Sequence, residues 1–337
     1  MYIGNMKNKI LITGAAGFLG GRVAKHFAKL NEQFTVITTS RRTERKTELE
    51  NHGCEFIAGD LCDNDFCDKI TQQVNTVVHC AALSAPFGNY HNFHQSNVLA
   101  TQSLLNSSIK NGVKKFIFIS TPSIYFNHSD RFDVKESDPL PLKMVNAYAD
   151  TKLQAEQFVL AQNTAEFKTI ALRPRAIIGA EDTVIFPRVL EAYNQNRLRI
   201  IGDGQNVCDM TCAYNVIEAI SCALQASDEA YGEAYNITDG AYVKFWDAVN
   251  YALTSLDYKP VERKVPQALA YLAATVMEQK AKLFSKKEPT LTKYGIGILS
   301  HSFTLSIEKA NKLLRYKPIM TTYEGINEYI LWHKQNR

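Results

Sequence analysis

The stretch Thr13-Gly14-Ala15-Ala16-Gly17-Phe18-Leu19-Gly20 follows a β-branched run from Lys9 to Thr13 and opens a helical pattern over Gly20 to Leu30. Glycines three residues apart leave the backbone bare where it must turn sharply, approach a pyrophosphate and pack a helix on a sheet. The amides that begin such a helix face an anion with the positive end of the helix dipole. A triad between a strand and a helix near the start of the chain therefore predicts a dinucleotide site, with Gly14, Ala16, Gly17, Phe18, Leu19 and Gly20 around the phosphates.

Working outward, short β-branched runs alternate with amphipathic segments, the pattern of βαβ units and a parallel sheet. Strands are predicted at Lys9 to Thr13, Phe34 to Thr39, Glu55 to Ala58, Thr76 to Cys80, Lys115 to Ser120 and Thr169 to Arg173, with a further helix over Ala100 to Asn111. The fold class expected is α/β: a Rossmann-type, doubly wound parallel sheet with a smaller α+β substrate lobe. After Pro174 the rhythm loosens into turns such as Gly202-Asp203-Gly204 and Asp239-Gly240. Residues 7–175 are expected to form the dinucleotide-binding domain. Residues 176–337 should be mainly substrate lobe, with segments returning to the sheet.

At the end of the second predicted strand, enzymes that hold a free ribose 2′-hydroxyl carry a carboxylate. Here the chain reads Thr38-Thr39-Ser40-Arg41-Arg42. Ser40 and Arg41, with Arg42 in reserve, suit a 2′-phosphate, because a guanidinium fork matches phosphate oxygens. NADP(H) is expected ahead of NAD(H).

The 337 residues carry a formal charge of +4, with lysine and arginine scattered among acidic residues, so nucleic acid is not an expected partner. Seven cysteines without C-x-x-C or zinc-type spacing suit reduced thiols in a cytoplasm and predict no metal. No secretion signal is read ahead of Lys9, and no apolar window approaches the roughly 18 residues of a spanning helix. The apolar run Val265 to Met277, which leads into Glu278, Lys280 and Lys282, reads as a packed amphipathic helix. A small-molecule substrate is the partner expected, with a homodimer left open.

Of the sixteen tyrosines, Tyr148 alone has a lysine four residues later. Residues at this spacing share a helix face, so Tyr148 and Lys152 can project together toward a nicotinamide. A nearby ammonium should lower the phenol pKa toward neutrality and fit it for proton exchange with a carbonyl or hydroxyl. Lys152 can also hydrogen-bond the nicotinamide ribose. Thr121, at a strand end, is placed to share the substrate oxygen, with Ser120 and Ser123 competing for that role.

In their order and intervals these segments resemble the extended short-chain dehydrogenase/reductase superfamily, which includes the epimerase/dehydratase family. The resemblance is carried by Gly59-Asp60-Leu61, His79-Cys80-Ala81-Ala82, Asn97 with Thr101, Ser120-Thr121 and Tyr148-x-x-x-Lys152. It implies that Asp60 and Leu61 contact adenine, and that Ala81, Ala82, Asn97, Ser120 and Pro174 border the cofactor. Dehydratases of that superfamily carry Asp-Glu after the catalytic threonine, whereas Pro122-Ser123 stands here, so dehydration is not expected.

Nucleotide-sugar epimerases usually present an arginine in the later lobe, where this chain has Cys208 before Asp209. Arg188, Arg197 or Arg199 remain able to replace it. Leu172 to Gly179, the Pro266 to Phe284 helix, Glu288 to Thr292 and the pattern from Ser306 to Gly325 look like the branch of 3β-hydroxysteroid dehydrogenases and 2-alkyl-3-oxoalkanoate reductases. The leading expectation is a ketone/alcohol oxidoreductase for a sterol-like or long-chain oxo substrate. A nucleotide-sugar epimerase or reductase is the alternative enzyme, and a catalytically silent NADP-binding sensor is the alternative of another class. Asp209 and Asn215 border the substrate pocket in the family, although a cap or turn explains either equally well. The helix bearing Leu269, Tyr271, Leu272, Val276 and Met277 is expected to cover either the core or a greasy ligand.

Overall fold

The computed structural model describes residues 7–285 and 288–336. Seven parallel strands form the main sheet: β1 (Asn8–Thr13), β2 (Phe34–Ser40), β3 (Glu55–Ala58), β4 (Thr76–His79), β5 (Lys115–Ile119), β6 (Lys168–Pro174) and β7 (Glu233–Ile237). Their spatial order is β7-β6-β5-β4-β1-β2-β3, so the order reverses at β1 and opens a crevice at the carboxyl ends beside it. Six of these strands lie where hydrophobic runs predict them. The seventh comes from the second half of the chain and pairs with β6 from Glu233↔Ile170 to Ile237↔Pro174.

Period-two alternation assigns the faces. Ile10, Ile12, Val36, Val78 and Ile117 pack on one side with Phe27 of α1 (Phe18–Lys29) and with Val216 and Ile220 of the helix Ala213–Leu224. Leu11, Val77, Phe116 and Phe118 point to the other side. There they meet Leu104 of α2 (Ala100–Lys110) and Val159 of α3 (Ala147–Leu160).

A smaller body covers the carboxyl edge. Its four short strands, Val243–Lys244, Val207–Cys208, Phe303–Leu305 and Arg131–Val134, lie side by side in that order. Phe186, Trp246, Val249, Leu253 and Tyr329 fill the core beneath α4 (Gln267–Lys280), α5 (Lys293–Ser300) and α6 (Thr322–Gln335). Arg22 of α1 joins the two bodies: it pairs with Glu328 of α6 at 2.5 Å, donates to the Ala180 carbonyl at 2.8 Å and stacks over Tyr214. Among the described residues no helix is long and apolar enough to cross a membrane, and no group of three or more His, Cys, Asp or Glu is placed to hold a metal.

Candidate active site

The glycine loop turns at Gly14, whose φ of +68° a side chain would strain. A β-carbon there would stand 2.8 Å from the Ala81 backbone, and one at Gly20 would collide with the Gly14 carbonyl. Among the described residues no side chain caps the amino end of α1, which leaves its first amides without a side-chain acceptor. A bare, close-packed cradle of this kind fits a dinucleotide pyrophosphate.

Beside the loop, the two arginines part company. Arg42 reaches back to the Ala16 carbonyl at 3.4 Å, and its amide donates to Ser40 Oγ at 3.3 Å. Arg41 instead lies 3.7 Å from the exposed carboxylate of Asp60. Leu61, next to Asp60, is buried.

A buried polar chain supports the neighbouring edge. Thr13 Oγ1 meets His79 Nδ1 at 2.7 Å and receives the Ala81 amide at 3.1 Å, while His79 Nε2 meets Thr101 Oγ1 at 2.9 Å. Burial and the nearby Lys152 hold the His79 pKa down at about 3, which keeps the imidazole neutral as a bridge. Asn97 sits in a π-helical turn, His94–Leu99, ahead of α2. Its side chain accepts the Leu83 amide at 2.7 Å and donates to the Leu83 carbonyl and to Thr151 Oγ1, both at 3.1 Å. Asn97 thereby clamps the segment containing Ala81 and Ala82 against α3. The π-turn brings the amide side chain inward, a distortion that hydrophobic periodicity does not reveal.

Lys152 is buried, donates to the Ile119 carbonyl at 2.6 Å and lies 3.8 Å from the centre of the Phe118 ring. Burial draws its pKa down to about 7, against the raising influence of Glu156 one turn later. Glu156 is itself buried in an ion pair with Arg173, whose Nε donates to it at 2.8 Å and whose Nη1 bonds Tyr125.

Tyr148 corrects the expectation drawn from the tyrosine-lysine spacing. Its pKa is raised, because the enclosure of its hydroxyl outweighs the hydrogen bonding from Thr121 and Ser84. With its ammonium held at Ile119, Lys152 does not offset that burial.

Thr121 caps the short 3-10 turn Pro122–Tyr125: its Oγ1 accepts the Ser123 amide at 3.2 Å and donates to Ser123 Oγ at 3.0 Å. Ser123 Oγ in turn meets the hydroxyl of Tyr294, from α5, at 2.8 Å. The Ser120 hydroxyl, buried at the end of β5, makes no hydrogen bond to any of the described residues, and Pro174 closes β6 as a buried residue. Beyond this row of hydroxyls stands an aromatic wall. The Phe126 ring packs edge-on to Tyr294 and His128, and His128 Nδ1 lies 3.1 Å from the Tyr271 hydroxyl of α4.

Ser84, Tyr294 and His128 are the neighbours that sequence reasoning missed, while Tyr271 belongs to the helix expected to cover core or ligand. Tyr271 and Tyr294 reach the site only through the folding of the lobe, whereas Ser84 could have been noticed as the hydroxyl following Ala81-Ala82. Asp209 and Asn215 are structural. Asp209 accepts the Leu305 amide at 2.6 Å, while Asn215 binds Asp239 and the backbone at Ile319 and Met320. Cys208 is buried in the lobe core, and Arg188 and Arg197 are paired with Glu288 and Glu191. The helix expected to cover core or ligand does so in part. Tyr271 turns inward and Met277 is half-buried, but Leu269, Leu272 and Val276 face outward because Ala270 and Ala274 occupy the packed side.

The profile of the 3-beta hydroxysteroid dehydrogenase/isomerase family matches residues 11–267, which run from β1 into α4. The chain belongs to that family. Within it, the chain is 31% identical over 324 residues to the 2-alkyl-3-oxoalkanoate reductase of Stenotrophomonas maltophilia, covering 94% of this chain and 97% of the relative. It is 28% identical over 331 residues to the decarboxylating sterol-4-alpha-carboxylate 3-dehydrogenase of Mus musculus, covering 96% and 90%. The fold is shared more widely: UDP-glucuronic acid 4-epimerase from Bacillus cereus, solved with NAD, superposes with a TM-score of 0.75 at 23% identity over 97% of this chain and 99% of that one. The family member described here is an NAD(P)-dependent oxidoreductase acting on CH–OH groups, within the extended short-chain dehydrogenase/reductase superfamily.

Proposed function

We propose that this chain interconverts a ketone and a secondary alcohol on an apolar substrate, sterol-like or long-chain, with NADP(H) preferred and Tyr148 as the acid/base. The observation that carries this reading is the juxtaposition at the carboxyl edge. Tyr148 and Thr121 stand beside a wall of Phe126, Tyr294 and Tyr271, and of the three arginines able to serve a sugar diphosphate, Arg188 and Arg197 are engaged in surface ion pairs while Arg199 donates to the Leu198 carbonyl. The names of the two relatives support the substrate class, since one is a 3-oxoalkanoate reductase and the other a sterol 3-dehydrogenase.

On this reading residues 7–175 hold the dinucleotide and residues 176–337 mainly shape the substrate pocket. The loop from Gly14 to Gly20 and the amides of α1 take the pyrophosphate, while Asp60 and Leu61 border the adenine. Ala81, Ala82, Asn97, Ser120 and Pro174 line the path to the nicotinamide, and Lys152 binds its ribose. Ser40 and Arg42 receive the 2′-phosphate, with Arg41 joining when it leaves Asp60. The bound cofactor gives or takes the hydride. Thr121 orients the reacting oxygen, and Tyr148 delivers its proton to the forming alkoxide in reduction or withdraws it from the alcohol in oxidation. A phenol held above its ordinary pKa keeps that proton near neutrality, which suits the reductive direction at the start of the cycle.

A panel of 2-alkyl-3-oxoacids, 3-oxosterols and UDP-sugars, followed by NADPH absorbance and, for the UDP-sugars, also by chromatography of the epimeric products, tests the reading. Turnover of an apolar oxo compound is expected. Turnover of UDP-sugars alone would replace it with the epimerase or reductase alternative, and cofactor binding without turnover of any class would favour the silent sensor.

A further inference from the structure

Arg175 follows Pro174 at the carboxyl end of β6, and a ring of hydrogen bonds holds its backbone. The Arg175 amide donates to Thr211 Oγ1 at 3.1 Å and to the Ile237 carbonyl at 3.2 Å, and Thr211 Oγ1 donates back to the Arg175 carbonyl at 2.6 Å. Ala176, next along, stands at φ +45°, a conformation that a β-carbon disfavours, so the turn persists because these contacts over-determine it. From this fixed turn the guanidinium lies over the Phe303 ring, with Cζ 4.3 Å from its centre.

Arg175 is 6% exposed. Its Nε is enclosed without an acceptor, and the guanidinium makes no hydrogen bond or ion pair with any described residue. Arg173, two residues earlier and equally buried, is instead closed by Glu156 and Tyr125. An enclosed charge without such partners is unfavourable, which makes Arg175 a donor in want of an anion.

Its surroundings face the reacting edge. Burial pushes the Cys208 thiol up to about 12 and the Asp209 carboxyl up to about 6, and Arg175 is a cation that opposes both shifts. Asp209 does not neutralise it: that carboxyl accepts the Leu305 amide at 2.6 Å and forms no ion pair with Arg175. Cys208 and Phe303 are register partners and share one face of the lobe sheet. On that face the Phe303 ring lies 5.8 Å from Phe126, which packs on Tyr294, whose hydroxyl meets Ser123 beside Thr121. Asn206, two residues before Cys208 and so toward the same face, is 6% exposed, and neither atom of its amide has a partner among the described residues.

We infer that Arg175 recognises a carboxylate carried by the substrate, with the Asn206 amide completing the site, so that the chain selects oxo acids over neutral oxo compounds. The inference rests on the ketone/alcohol reading above and narrows it. A guanidinium fork matches the two oxygens of a carboxylate, and the aromatic rings around it suit the hydrocarbon body that such an acid carries. A sugar diphosphate fits less well, because it brings more charge than this one cation meets, and Arg188, Arg197 and Arg199 are engaged elsewhere.

Initial rates with NADPH compare a long-chain 2-alkyl-3-oxoacid with its methyl ester, which keeps the ketone and the hydrocarbon body but lacks the charge. The parent chain is expected to favour the acid in kcat/KM by about ten- to a hundredfold, the worth of one charge-assisted contact. Arg175→Met should remove that preference by raising KM for the acid, while kcat and the ester's KM change by less than about threefold. Arg175→Lys should keep part of the preference, and Asn206→Leu should lose a smaller part. Unchanged NADPH affinity and thermal midpoint would show that these variants are folded. Equal kcat/KM for acid and ester in the parent chain, or an equal loss of both substrates in Arg175→Met, overturns the inference.

Should neither oxo compound be turned over, the ketone/alcohol reading falls by itself, and the carboxylate site is then judged on the NADPH-bound parent chain by thermal shift with a saturated 2-alkyl carboxylic acid and its methyl ester. The same measurement decides the matter if Arg175→Met does not fold. Stabilisation by the acid alone upholds the site. Stabilisation by both alike, by neither, or only by a UDP-sugar overturns it.

Discussion

Along the carboxyl edge of β1, β4 and β5, Thr13, His79, Asn97, Thr101 and Thr121 are buried, and each has a named partner within 3.2 Å. Across the crevice, α4 and α5 contribute aromatic side chains whose hydroxyls meet other mobile side chains of the lobe and its border, Tyr271 with His128, Ser300 and Gln267 and Tyr294 with Ser123, while α4 turns its large aliphatic residues outward. The first region is over-determined by hydrogen bonds and tolerates little displacement. The second is held by ring contacts and small-residue packing, which can be re-shaped at modest cost. In the proposed assignment the first region sets the reaction and the second sets which molecule undergoes it, so substitutions in the two should separate rate from selectivity.

The sharpest break is expected at Tyr148. Tyr148→Phe should lower kcat by roughly 10²- to 10⁴-fold while calorimetry shows NADPH affinity nearly unchanged, since the ring is retained and only the proton is lost. A comparable loss of cofactor affinity would move Tyr148 from proton transfer to binding.

Next in size is the buried Glu156–Arg173 pair, one turn beyond Lys152. Glu156→Gln leaves a guanidinium uncompensated in the interior and should destabilise the fold by about 3 to 5 kcal/mol, read from urea unfolding. A similar change at the exposed Arg41–Asp60 pair should cost less than about 1 kcal/mol.

Arg42→Ala should weaken NADPH binding about ten- to hundredfold while sparing NADH, the equivalent of about 1.5 to 3 kcal/mol for a charge-assisted contact. Equal weakening of both cofactors would mean that Arg42 only braces the loop at Ala16.

The last effect is one of pH. Lys152 titrates near 7 in the folded chain and near about 10.4 when unfolded. Between those values the unfolded chain binds the additional proton, so this residue's contribution to stability rises with pH, and its burial penalty is largest below pH 7. The stability gained by Lys152→Met over the parent, followed by calorimetry without cofactor, should therefore shrink as pH rises from about 7 to about 10. A gap that widens over that window would reverse the assignment.

What could be read in the sequence follows the same division. The glycine loop was legible because Gly14 and Gly20 answer to backbone clearances that no other residue meets. The six strands were legible because both faces of the sheet are buried, which makes their runs apolar and β-branched. Strand β7 was not placed, since Glu233–Ile237 reads Glu-Ala-Tyr-Asn-Ile, without a β-branched run, and lies among turns. The tyrosine-lysine spacing located a helix face but not its electrostatics: burial of the phenol, and the attachment of Lys152 to Ile119, are tertiary facts. Tyr294 was invisible, and Tyr271 was placed on a covering helix without its partner, because their approach to Ser123 and His128 spans more than a hundred residues of chain and depends on how the lobe closes.

The measurement that bears most directly on the central claim is isotope transfer. The chain is incubated with deuteride-labelled NADPH and a long-chain 2-alkyl-3-oxoacid or a 3-oxosterol, and the product is analysed by mass spectrometry for the parent chain and for Tyr148→Phe. The account predicts one deuterium at the carbinol carbon with the parent chain, and a loss of that product with Tyr148→Phe under conditions where NADPH remains bound. Deuterium transfer undiminished in Tyr148→Phe, or transfer only to a nucleotide sugar, would contradict it.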